Sequence, residues 1–135
     1  MDSIYLIGRV LFSLIFVMSG VGHFTKLEGM SQYAAASGAP APKASVLVSG
    51  LMIVAGGLSV ALGVWMEIGT WLLVFFLIPA AVLMHAYWKI DDPGERSGQQ
   101  AHFMKNLALA GAALVLYWVV QTHGYGPFTL GEPMS

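Results

Sequence analysis

Apolar residues along this chain come in long uninterrupted runs. Four runs, residues 4–24, 44–64, 68–88 and 103–120, each hold about the 20 residues that a helix needs to cross a hydrocarbon core of about 30 Å. Arg9 and His23 interrupt the first and His85 alone the third, whereas the second carries no charge. The fourth opens on Lys105 and Asn106 and is then wholly apolar. No stretch alternates with period two over the ten or so residues of a barrel strand. The pattern predicts an all-α integral membrane protein, a four-helix antiparallel bundle.

The polar stretches set the connections. Residues 27–37 put Leu27, Met30, Tyr33 and Ala34 on one face and predict a short interfacial helix, stopped by Gly38, Pro40 and Pro42. Trp65, Met66 and Glu67 form a turn tight enough to make spans two and three antiparallel neighbours. Residues 91–98 read as a solvated loop, and the Gly- and Pro-rich tail after Gln121 predicts no element. Four crossings put both termini on one face. The loops at the other face and their flanks carry Lys26, Lys43, Lys89, Arg96 and Lys105, so the positive-inside rule expects those loops in the cytoplasm and the termini outside it. Asp2 stands where a secretory signal would be basic, and the run behind it is too long for an h-region, so the first span is expected to be retained.

Composition narrows the function. Of 135 residues 57% are hydrophobic and only 10% charged, against about 25% charged in a soluble domain, so the expected solvent is a lipid bilayer. A net charge of −1 argues against a nucleic-acid binder held by counterion release. With no cysteine there are no disulfides, thiolate metal sites, Fe–S clusters or thiol nucleophiles. Small residues offer close helix contacts in place of a hydrophobic driving force: Ala55, Ser59 and Gly63 beside Gly56 and Gly57 in span two, Asn106, Ala110 and Ala113 beside Gly111 in span four, and Gly8, Ser19, Gly20 and Gly22 in span one. Pro79 removes a helical hydrogen bond and is expected to bend span three.

An ionisable side chain within a span costs about 2.5–3.5 kcal/mol at its centre and marks a functional candidate. Arg9 lies about 8 Å in from Ile4 at 1.5 Å per residue, so it reaches the headgroups by snorkelling. Glu67 falls at that same face, and an Arg9–Glu67 ion pair is expected to clamp span one to the turn. At the opposite face threading gathers His23, Lys26, His85, Trp88, His102, Lys105 and Asn106. Ser19 and His23 are four apart, His85 and Trp88 three apart, and Lys105 and Asn106 follow His102 at three and four, spacings that each share a helical face. Imidazoles exchange protons near pH 7, a lysine attracts an anion, and Trp88, Tyr87 and Phe103 offer flat surface to a ring. This edge suits a quinone or another small polar substrate. The competing reading is an aromatic belt with snorkelling cations that only anchors the bundle. His23 and His85 on neighbouring helices satisfy the geometry of axial haem ligands, yet interfacial histidines are more commonly just hydrogen-bonded, and b-type haem is not expected. No carboxylate adjoins these histidines and no HExxH-type spacing occurs, so no metal is expected. Scattered methionines are core filler.

Taken in order, several fragments resemble the DoxX family of small four-helix membrane proteins. They are Gly8-Arg9-Val10-Leu11, Ser19-Gly20 with His23-Phe24 and Lys26, Gly38 with Pro40 and Pro42, and Gly56-Gly57 with Leu62-Gly63. His85-Ala86-Tyr87-Trp88 and the run from Phe103 to Leu109 complete the set, which reaches to about Tyr117. One departure stands out: the family pattern has a glutamate three residues before the paired glycines, where this chain has Ile53. The resemblance implies a membrane subunit associated with oxidoreductases, among them a thiosulfate:quinone oxidoreductase, with other protein subunits as partners. It raises quinone-linked redox work without assigning a reaction. A non-catalytic assembly subunit is the alternative, and a small-solute transporter a third.

Overall fold

The computed structural model describes residues 1–134. It holds helices α1 (Asp2–Thr25), α2 (Leu27–Ala36), α3 (Pro42–Leu62), α4 (Met66–Met84) and α5 (Pro93–His123), with a 3₁₀ turn at Tyr87–Lys89. The segments formed by α1, α3, α4 with its following turn, and α5 are long and apolar enough to cross a membrane. α1 packs against α3, α3 against α4, and α4 against α5, while α2 lies mainly on α3. Phe16, Ile53, Val60, Leu73, Leu77 and Ala110 form the shared interior. Leu11, Met18, Leu51, Phe75 and Val115 point outward, as residues in contact with lipid do.

Close backbone approach decides which faces meet. A Cβ on Gly56 would lie 2.8 Å from two carbons of Leu73 and 2.9 Å from the Gly69 carbonyl oxygen. One on Gly50 would lie 2.8 Å from the His23 Cβ, and one on Gly20 would run into Val54. Absent side chains therefore let α3 touch both α1 and α4, gaining dispersion contact in a solvent that offers no hydrophobic drive. The contact stripe differs from the expected one: Ala55 is exposed, and Gly8, Gly22 and Gly111 have nothing within 4 Å of where a Cβ would stand. On α5 the expected face is found, with Asn106, Ala110 and Ala113 all buried.

The turn between α3 and α4 spans Gly63, Val64 and Trp65. Gly63 adopts φ 68, and a Cβ there would also collide with Thr129 of the tail, so glycine is required twice over. The Ser59 hydroxyl lies within hydrogen-bond reach of the Val64 and Trp65 carbonyls at 2.6 and 3.0 Å, tying the turn to α3.

Residues 91–98 correct the expected loop. Asp92 is the N-cap of α5, its carboxylate accepting from the Glu95 N–H at 2.9 Å, and Pro93 occupies the first turn. Proline there loses no bond and presets φ, while the aspartate satisfies one of the orphan N–H groups. At 31 residues, α5 is about 46 Å long, so its first turns stand beyond the apolar span. Asp92→Ala is expected to remove about 1 kcal/mol of cap energy, seen as faster amide exchange over residues 93–98 with no change in the apolar part of α5.

The tail also departs from expectation. It forms no helix after His123, yet it folds back over the end of the bundle, with Leu130 N–H donating to the Leu62 carbonyl at 3.0 Å and Gly131 N–H to that of Gly63 at 2.9 Å. Two carbonyls at the C-terminal end of α3 are thereby satisfied.

Candidate functional site

Two polar clusters occupy opposite ends of the molecule. At the end holding the termini, Arg9 is only 3% exposed. Its guanidinium donates to the carbonyls of Pro127 (3.0 Å), Ala61 (3.3 Å) and Phe128, and its Cζ lies 5.0 Å from the Tyr5 ring centroid. Glu67 accepts from the Tyr125 hydroxyl at 2.6 Å and from the Met134 N–H at 3.0 Å. Tyr125 itself accepts from the Met66 N–H at 3.0 Å. Burial, with the Glu67 carboxylate beside it, pushes the Tyr125 phenol above its ordinary pKa, so it remains a donor. The expected direct Arg9–Glu67 pair is therefore replaced by a bridged arrangement. The returning tail presents carbonyls to the cation and donors to the anion, leaving the buried Arg9 Nε without a partner among the described residues. This cluster closes one end of the bundle.

The opposite end is open. α3 and α4 are pressed together near their turn through Gly56 and Gly69, and farther along both line a cavity of about 650 Å³. Its walls include Ser49 and Met52 from α3 and Phe76, Pro79 and Leu83 from α4. α2 lies across it with Met30, Tyr33 and Ala34. The Tyr33 hydroxyl donates to the Met84 carbonyl at 2.8 Å, one of the α4 end carbonyls left without a helical donor, which ties α2 to the end of α4. Pro79, in which the sequence shows a missing backbone donor, stands in the wall itself.

The chemistry-bearing groups come to this chamber from α1, the end of α4 and α5. His23 is 5% exposed. Its Nδ1 is 2.7 Å from the Ser19 carbonyl oxygen, and its ring stands edge-on to Phe76 with centroids 5.9 Å apart. A carbonyl only accepts, so Nδ1 carries the hydrogen and Nε2 of the neutral ring is left as an acceptor. His85 repeats the arrangement, with Nδ1 at 2.8 Å from the Gln99 Oε1. Asn106, buried, donates from Nδ2 to the Leu77 carbonyl at 3.3 Å and keeps its Oδ1 in hand. Lys26, between α1 and α2, and Lys105 of α5 also line the cavity.

Of the residues expected at this edge, His23, Lys26, His85, Lys105 and Asn106 line the cavity, and His102 and Trp88 do not. His102 stacks on His85, the two rings at 5.2 Å and 26°, and lines a second cavity with Gln99. Trp88 fails for a local reason. α4 ends at Met84 and His85 caps it with φ −124, so the helical spacing that would align Trp88 with His85 no longer applies. Trp88 instead meets Phe103 edge-on at 5.6 Å and Tyr87 at 5.3 Å. Tyr33, Ser45 and Ser49 also line the chamber; the sequence places Tyr33 on the inner face of the interfacial helix, whereas the two serines carry no signal beyond being small.

Comparison with known proteins follows this geometry. The DoxX family model matches residues 4–86, a stretch ending one residue past His85. The inner membrane protein YphA of Escherichia coli strain K12 is 32% identical over 112 residues, 82% of this chain and 79% of that one. No solved structure matches the chain. Ile53, at the position where the family pattern has glutamate, is fully buried in the apolar interior.

Proposed function

The chain belongs to the DoxX family and is a multi-pass membrane protein, and from that premise we propose that it is a quinone-linked subunit of an inner-membrane redox complex, with the chamber between α3 and α4 as its quinone site. The observation that carries this reading is the cavity itself. Its volume of about 650 Å³ falls within the range of roughly 300–1,000 Å³ of small-molecule sites. An apolar body of Met52, Phe76 and Leu83 would take the ring and the first tail units. Lys105 and Asn106 would donate to the ring oxygens, and Nε2 of the two imidazoles would accept from the hydroxyls of the reduced ring. A quinone accepts and releases protons at those oxygens, and neutral imidazole is the side chain suited to exchange them near neutral pH. Without cysteine the chain offers no thiolate or Fe–S centre of its own, and this reading gives the electron-carrying centre to a partner subunit.

The test is titration of a short-tailed benzoquinone against the protein in lipid nanodiscs. Saturable binding is expected, weakened about tenfold or more in His85→Ala/Lys105→Ala by loss of a charge-assisted hydrogen bond. Trp88→Ala, outside the chamber, should bind as the parent does. No saturable binding by the parent protein would remove the quinone site.

One observation favours a second reading, a non-catalytic subunit that braces a larger assembly. The first turns of α5, residues 93–98, are exposed throughout and polar in composition, forming a helical projection beyond the span. Unchanged partner retention and partner activity in the double variant would favour this reading.

A further inference from the structure

The chamber carries charge of one sign. Lys26 and Lys105, both exposed, line it together with His23 and His85, and among the described residues no aspartate or glutamate does. Cations gathered beside an apolar volume repel one another and lose hydration as an occupant enters, costs that an anionic head offsets and a neutral one does not. The imidazoles add a second constraint. Each has its Nδ1–H engaged, by the Ser19 carbonyl and by Gln99, so each neutral ring offers Nε2 as an acceptor. A ketone oxygen has no hydrogen to give to such a nitrogen, whereas an acidic hydroxyl does.

Resting on the reading of this chamber as a ligand site, we infer that its preferred occupant is an amphiphile with an acidic oxygen head, bound ionised. Hydroxyquinones are the quinone-class instance, and fatty acids the lipid instance. The proton balance is simple. The O–H bond of the head breaks, the proton passes to Nε2 of His85 or His23, and the oxygen's negative charge remains paired with Lys105 or Lys26. No electron moves. The titratable groups lining this chamber are His23 from α1, Lys26 between α1 and α2, Tyr33 from α2, His85 from the end of α4 and Lys105 from α5. Tyr33 has its hydrogen engaged by the Met84 carbonyl, α3 offers only serine hydroxyls, and His102 stacks on His85.

The experiment uses the full chain in nanodiscs of zwitterionic lipid. The probes are an alkyl-2-hydroxy-1,4-naphthoquinone, whose absorbance reports its own ionisation, and its methyl ether. The hydroxy compound is expected to bind about tenfold or more tightly than the ether at pH 7. Once bound, it should ionise about one pH unit or more below its value in protein-free discs, a tenfold change in acidity. Both advantages should vanish in Lys26→Ala/Lys105→Ala and persist in Lys43→Ala, whose side chain lies outside the lining. Displacement of the hydroxy compound by oleate but not by oleyl alcohol would extend the same preference to a lipid source. Equal affinity for the two naphthoquinones, with unshifted ionisation, overturns this inference and leaves the quinone site standing. If neither naphthoquinone binds, the quinone reading fails. Direct oleate binding that is lost in the lysine double variant would then still support the anionic preference, and absence of that binding would overturn it too.

Discussion

Arg9→Met is expected to destabilise the protein by about 2–4 kcal/mol and to free the tail. The methionine keeps most of the side-chain volume but donates nothing, so the carbonyls of Ala61, Pro127 and Phe128, partly buried where the guanidinium meets them, lose their partner. Each orphaned acceptor costs about 1–3 kcal/mol, reduced where water or a shifted backbone reaches it. The relief of desolvating a buried charge works in the opposite direction, which is why the expected loss is below the sum of three orphans. Glu67 would then be the one buried charge left in this cluster. Thermal unfolding in detergent and proteolysis of residues 124–134 give the two readouts. Tyr125→Phe is the milder comparison, since it removes the bonds to Glu67 and Met66 and leaves the Arg9 contacts in place. If Arg9→Met melts as the parent protein does with its tail still protected, these contacts do not close that end of the bundle.

Gly56→Val carries the second large effect. Its Cβ would meet Leu73, which is fully buried, and the Gly69 carbonyl, which as backbone has no rotamer to adopt. Overpacking of this kind costs about 1–3 kcal/mol, and the upper end is expected because α3 and α4 must separate to admit the side chain. Separation there also widens the wall of the chamber, so quinone binding should weaken along with stability. Gly111→Ala is the control, since nothing lies within 4 Å of its Cβ position. Helix propensity predicts a neutral change or a gain of up to about 1 kcal/mol. Similar melting of the two variants would show that the close contact of α3 with α4 contributes nothing.

These two glycines mark the limit of what a linear pattern conveys. Gly56 and Gly111 look alike in the sequence, each a small residue in an apolar run, and only one of them lies at a helix crossing. Span three shows the same limit. Its hydropathy continues to Trp88, yet the helix stops at Met84, because hydropathy measures the solvent a residue prefers and not the hydrogen bonds its backbone makes. The start of α5 is a local signal that composition hides: residues 91–98 read as a loop by their Gly and Ser content, whereas Asp92-Pro93 with Glu95 caps a helix. Arg9 and Glu67 were rightly placed at one face. Their partners were not foreseen because they are mostly backbone groups of a tail with no periodicity of its own.

What the sequence determined is whatever depends on solvent and chain length: an all-helical protein of four membrane-crossing segments, a short fifth helix between the first two, and the ends at which the scarce charges lie. Lipid enforces these directly, since every backbone polar group within it must be bonded inside a helix and runs of that length fit no other element. The tertiary structure decided which small residues touch, that α3 and α4 meet at one end and leave a chamber at the other, and which polar side chains face it. In a solvent as apolar as the side chains themselves, those choices turn on contact and hydrogen-bond differences of about a kilocalorie, which exist only between helices already placed side by side.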